Sequence, residues 1–91
     1  MALLDLLGRR WALRILWELR GGRLSFRQLQ ERCDSMSASV LSQRLAELRE
    51  AGIVVSPERG GYELTREGGR LLTALAELDS WAGRWAARTP R

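Results

Sequence analysis

Histidine is absent from this 91-residue chain, and cysteine occurs once, at Cys33. Without imidazole there is no Ser-His-Asp or Cys-His catalysis, and no site that needs a histidine ligand. A lone thiol excludes an intrachain disulfide and a multi-thiolate zinc site, and is the cysteine usage of an ordinary cytosolic chain. Lysine is absent too. Every basic residue is an arginine, whose rigid donor fork suits phosphates and base edges. No apolar run approaches transmembrane length. The opening Met1-Ala2-Leu3-Leu4-Asp5 lacks the basic n-region and apolar run of a secretory signal. A soluble cytoplasmic protein with no membrane partner and no cofactor is expected. Nor is an enzyme: Glu77 and Asp79 do not share a helix face, and Glu47 and Glu50, which do, have no nucleophile or metal ligand beside them.

The length suits a single domain over residues 1–91, small enough that dimerisation would add useful burial. The formal net charge of +4 permits a nucleic-acid partner without demanding one. It is unevenly spread. Residues 1–33 carry seven arginines against three acids, residues 34–64 three against five, and residues 65–91 five against three.

Hydrophobic spacing gives the order of elements. Leu3, Leu4, Leu6 and Leu7 form a greasy segment too short to be a stable helix alone. Trp11 to Arg20 reads as a helix with Ala12, Ile15, Leu16 and Leu19 inward. Leu13 and Trp17 lie off that stripe, so this helix needs cover on two sides. Gly21-Gly22 stops it, and Leu24 fits a very short strand. Ser25 with Gln28 makes a capping box for a helix from Phe26 to Cys33. Asp34-Ser35-Met36 is a turn. Ser37 caps a third helix that runs to about Ala51, with Leu41, Leu45 and Leu48 inward and Gly52 as its C′ residue. Ile53-Val54-Val55 and Tyr62-Glu63-Leu64 pair as a hairpin around Pro57–Gly61. Thr65 then caps one helix from Arg66 to about Arg88. Leu71, Leu75, Leu78, Ala82 and Trp85 form its stripe, widened by Leu72, Ala74 and Trp81. Adjacent Gly68 and Gly69 near its start signal either close packing or fraying. The tail Thr89-Pro90-Arg91 is expected to fray.

The result is a mainly α chain with a small β-hairpin, arranged as a winged helix-turn-helix whose third helix enters the major groove. Ala38, Ser39, Ser42 and Gln43 face outward near the N-terminus of that helix. Ser39 and Ser42 can bond a phosphate or a base edge, and Gln43 can reach adenine. The N–H groups after Ser37 favour a phosphate. Arg44 can reach the DNA backbone or buttress the domain. At the wing tip Arg59 can enter a minor groove or clamp a phosphate, and Arg27 is a further candidate DNA contact. The plainer alternative is that the serines are cap and surface residues and Arg59 an ordinary surface arginine. Glu47 and Glu50 offset Arg44 and Arg49, so the third helix is near neutral and one subunit alone binds weakly.

The stretch Leu7-Gly8-Arg9-Arg10-Trp11-Ala12-Leu13-Arg14-Ile15-Leu16 resembles the opening of the HxlR-type regulators, bacterial winged-helix transcription factors related to the MarR group. Arg27-Gln28-Leu29, Met36 to Leu48, Ala51-Gly52-Ile53-Val54 and Tyr62 to Gly68 are similar to the family's later segments, in the same order. The resemblance implies a homodimer on inverted-repeat promoter DNA, built from the N-terminal segment and the last helix. Leu3, Leu4, Leu7, Trp17, Leu78, Trp81 and Trp85 are the candidate seam. Several members of the family sense oxidants or aldehydes through a cysteine before the first main helix. None stands in Met1–Arg10, and Cys33 reads as a buried small hydrophobe. The hairpin is short for the family. Two other readings stay open: a winged-helix interaction module that never reads DNA, and a small apolar effector at the seam among Trp11, Trp17, Trp81 and Trp85.

Overall fold

Ser25 caps its helix as its sequence context demands. Its side chain accepts from the Gln28 N–H at 3.0 Å while the Gln28 amide oxygen accepts from the Ser25 N–H at 2.8 Å. Such local signals set most boundaries in a computed structural model of the chain, which describes residues 2–88; Met1 and the tail Thr89-Pro90-Arg91 lie outside them. The helices are α1 (Ala2–Leu7), α2 (Ala12–Glu18), α3 (Phe26–Arg32), α4 (Ala38–Glu50) and α5 (Arg66–Arg88). Strands β1 (Val54–Val55) and β2 (Glu63–Leu64) pair antiparallel, Val54 opposite Leu64 and Val55 opposite Glu63.

The helix expected over Trp11–Arg20 is shorter than its pattern. Trp11 sits outside α2 in the left-handed region, φ 77°, and the chain tightens into a 3-10 turn at Leu19–Gly21. Each hairpin strand loses its first residue. Ile53 is buried just outside the ladder, its backbone bonded to Leu48 and Thr65 instead, and Tyr62 pairs outward, in a bridge with Leu24. Three short segments therefore form the wing, which a two-residue pair alone would not stabilise.

Ile15 and Leu16 of α2, Leu19, Leu29 of α3, Cys33, and Leu41, Leu45 and Leu48 of α4 make the dry centre. Met36, Ile53, Val54 and Leu24 close it. Between α3 and α4 the chain turns through two consecutive left-handed residues, Asp34 (φ 59°) and Ser35 (φ 55°). Each costs about 1 kcal/mol or more, so the turn must be held from outside.

The start of α5 docks through backbone. Thr65 Oγ1 accepts from the Gly68 N–H at 3.0 Å and donates to the Gly52 carbonyl at 2.6 Å. The Thr65 N–H donates to the Ile53 carbonyl at 3.0 Å. A Cβ on Gly68 would collide with that Ile53 carbonyl oxygen, whereas nothing stands near Gly69. Close packing is thus the reason for the first glycine and not for the second. The α5 stripe is covered only in part: Leu71 and Leu75 pack on the core, while Leu78 and Trp85 are exposed. At about 1.5 Å per residue, a helix of 23 residues outruns the body that holds its first three turns.

Candidate nucleic-acid interface

Leu41, Leu45 and Leu48 lie on one side of α4 and are buried, which turns the opposite side outward. Ala38, Ser39, Ser42 and Gln43 are all exposed there. The Ser37 hydroxyl caps the helix, accepting from the Val40 N–H at 3.4 Å and sharing a 2.9 Å hydrogen bond with the Ser39 hydroxyl. The N–H groups of Ala38 and Ser39 stand in the first turn, where a helix offers them no internal acceptor. Ser42 and Gln43 make no side-chain hydrogen bond among the described residues. This end of α4 therefore presents small polar groups and first-turn N–H donors on an exposed face.

Arg44 faces the other way. Its Nε donates to the Arg10 carbonyl at 2.9 Å and it pairs with Glu47 at 3.0 Å, with the side chain only 15% exposed. Glu47 also pairs with Arg9 at 3.3 Å, so the loop between α1 and α2 is fastened to α4. These contacts fit the buttress, one of the two roles open to Arg44. Arg27 on α3 is well exposed and pairs with Glu31 at 3.4 Å. Arg59 in the wing loop reaches Glu63 at 3.3 Å. These exposed pairs hold weakly and leave both arginines able to exchange partners.

Two arginines have roles that their sequence context does not disclose. Arg23 donates to the Arg59 and Gly60 carbonyls at 3.0 and 3.1 Å and so braces the wing loop. Arg14 on α2 donates to the Arg32 carbonyl at 2.6 Å and approaches Asp34 at 3.8 Å. Its spacing to Glu18 suggests an i,i+4 pair, which forms at 2.9 Å, but nothing local announces a partner eighteen residues on.

Cys33 is fully buried under this cluster. Burial pushes its thiol up, against the pull of Arg14 and with help from Glu18 and Asp34. In the unfolded chain the thiol returns to its ordinary value of about 8.5. Above that value the unfolded state holds fewer protons than the folded one, so stability falls as pH rises into the alkaline range. The urea midpoint of the wild type should drop more between about pH 7.5 and 9.5 than that of Cys33→Ala. Equal drops would show that another group governs the alkaline limb.

Away from α4, the apolar surface collects on α1, α2 and α5. Leu3, Leu4, Leu13, Trp17, Leu78, Trp81 and Trp85 are exposed. Leu7 is not among them; it is half-buried against its own core. Leu13, Trp17, Leu72, Leu75, Ala76 and Leu78 line an open groove between α2 and α5. Further out, Trp81 and Trp85 stack with centroids 6.2 Å apart. Among the described residues no cluster of three or more His, Cys, Asp or Glu could hold a metal, and no helix is long and apolar enough to cross a membrane.

Comparison with known proteins agrees with this fold. The profile of the HxlR-like helix-turn-helix family matches residues 6–90. An uncharacterised HTH-type transcriptional regulator of Bacillus subtilis, YvaP, is 34% identical over 87 residues, covering 89% of this chain and 81% of that protein. The crystal structure of quinone-bound YodB from B. subtilis superposes with a TM-score of 0.84 at 31% identity, covering 91% of this chain and 92% of that one. A MarR-family regulator from Enterococcus faecalis V583 gives a TM-score of 0.86 at 30% identity, over 93% of this chain and 83% of its own.

Proposed function

Given that the chain belongs to the HxlR-like helix-turn-helix family and is a DNA-binding transcriptional regulator, we propose that it acts as a homodimer on inverted-repeat sites and reads each half-site with the N-terminal half of α4. The observation that carries this reading is the division of α4 itself. Leucines fix one side to the core, and Ser39, Ser42 and Gln43 stand clear on the other. Gln43 is the base reader, with amide geometry matched to adenine. Ser37, Ala38, Ser39 and Ser42 line the approach, and the first-turn N–H groups take a phosphate. Arg27 and Arg59 take phosphates on either side, while Arg44 contributes by holding α4 to the α1–α2 loop.

The dimer follows from surface that the monomer leaves wet. Leu3 and Leu4 on α1, Leu13 and Trp17 on α2, and Leu78, Trp81 and Trp85 on α5 are large apolar side chains left exposed, the kind of surface that marks an interaction site when contiguous. A two-fold arrangement would set the reading helices about 34 Å apart, one turn of duplex. The groove between α2 and α5 forms part of this seam and is apolar enough for a small apolar effector; quinone-bound YodB supports a small-molecule ligand.

Selection from a genomic duplex library at a stated salt concentration tests the reading. Gln43→Ala should lose about 1–3 kcal/mol of discrimination at one base position and change general affinity little. Arg59→Ala should weaken all duplexes alike and lower the salt slope by about 1. If both variants bind as the wild type does, the assignment of these residues fails. An interaction module would ignore every duplex even at low salt.

A further inference from the structure

The pitch at which α4 leaves the body is set by the turn before it, through left-handed Asp34 and Ser35. That turn has an inner and an outer tie. On the inner side, Gln30 Nε2 donates to the Met36 carbonyl at 2.9 Å. On the outer side stands a single guanidinium from another helix. Arg14 gives one hydrogen bond to the Arg32 carbonyl, an end-of-helix acceptor with no partner inside α3, and lies 3.8 Å from the Asp34 carboxylate. Its Nε is held at 2.9 Å by Glu18, whose other oxygen is 3.8 Å from Arg32. The Glu18 side chain is only 14% exposed, so it sits pressed between two cations.

We propose that Arg14 and Glu18 form a positioning pair that fixes the helix-turn-helix angle, so that recognition of the operator depends on two α2 residues that touch no DNA. The proposal rests on α4 being the base-reading element. Glu18 aims the guanidinium, and the guanidinium holds the end of α3 and the turn together. A rigid tie matters for base reading because bidentate contacts tolerate little displacement. It matters little for phosphate attraction, which is long-ranged and indifferent to angle. Leu13 and Trp17, on the same short helix, face the groove, so whatever settles there bears on the pair directly.

The test uses the full chain and two variants of opposite charge effect. Arg14→Ala removes a positive charge and Glu18→Ala removes a negative one. Affinities for a selected operator duplex and for an unrelated duplex are measured at one salt concentration, with thermal unfolding alongside to confirm folding. Each variant should weaken operator binding about tenfold, the order of one charge-assisted hydrogen bond, and leave the unrelated duplex within about twofold. The double variant should be no worse than either single one, because both break the same tie. If Glu18→Ala binds both duplexes more tightly while Arg14→Ala binds both more weakly, these residues act only through net charge and the proposal is overturned. An unchanged operator preference in a folded Glu18→Ala overturns it as well. Failure of the wild type to prefer any duplex would instead remove the base-reading assignment of α4, and this pair's role with it.

Discussion

Replacing Gly68 by alanine is expected to cost about 3 kcal/mol of stability, against the sign that helix propensity predicts. Alanine inside a helix is ordinarily better than glycine by about 1 kcal/mol. Here the added Cβ lands on the Ile53 carbonyl oxygen, which is backbone and cannot rotate away. That oxygen also accepts the Thr65 N–H. Pushing α5 outward would break that bond and the bond from the Thr65 hydroxyl to the Gly52 carbonyl, and lift Leu71 and Leu75 from the core. Gly69→Ala is the matched control. Nothing lies near its Cβ position, so it should gain up to about 1 kcal/mol. At about 4–8 °C per kcal/mol for a domain of this size, the two variants should melt well apart at equal protein concentration. If Gly68→Ala melts with Gly69→Ala, the docking of α5 on Ile53 is wrong.

The second large effect is at the proposed seam. Leu78→Glu places a charge on an exposed position of α5 and keeps a good helix former, so the isolated subunit should fold normally. Buried at an interface, the same carboxylate would have no partner, at a cost of several kcal/mol. The variant should sediment as a monomer with unchanged helical circular dichroism. Its affinity for a full inverted repeat should fall at least about 100-fold, because two linked half-site contacts become one. Binding to an isolated half-site should barely change. A Leu78→Glu protein that remains dimeric, or a wild type that is already monomeric, would refute this seam.

Legibility in the sequence followed locality. Ser25 with Gln28, Ser37 and Thr65 as caps, and Gly52 as a helix stop each carry their reason within a few residues, and each stands as read. The leucine triplet of α4 likewise fixes its inner side. Features that depend on distant chain were hidden. Trp11 reads as the first residue of a helix, yet it takes a left-handed conformation just outside α2, where the Arg10 carbonyl is held by Arg44. The periodicity of α5 shows which residues share a face, but not that the subunit covers only the near half of it. Leu7 shares its greasy context with Leu3 and Leu4, and only packing shows that its own core takes it. At the candidate interface, exposure of Ser39, Ser42 and Gln43 was readable from spacing. The inward commitment of Arg44, and the ties made by Arg14 and Arg23, join residues 18 or more apart and leave no local mark.

The bridge between Leu24 and Tyr62 fixes the wing at its base, through N–H···O bonds of 3.0 and 2.8 Å in the two directions. Strand register is thereby set by pairing on both sides of β2 and not by the Ser56–Gly61 loop. Residues added at Ser56–Glu58 should cost about 0.6 kcal/mol for each doubling of loop length, whereas Arg23 holds the Arg59 and Gly60 carbonyls and the Leu24 carbonyl crowds Gly61. The tip is where diversification can proceed at the least structural penalty, so paralogues sharing one reading helix could diverge in the flanking DNA they tolerate.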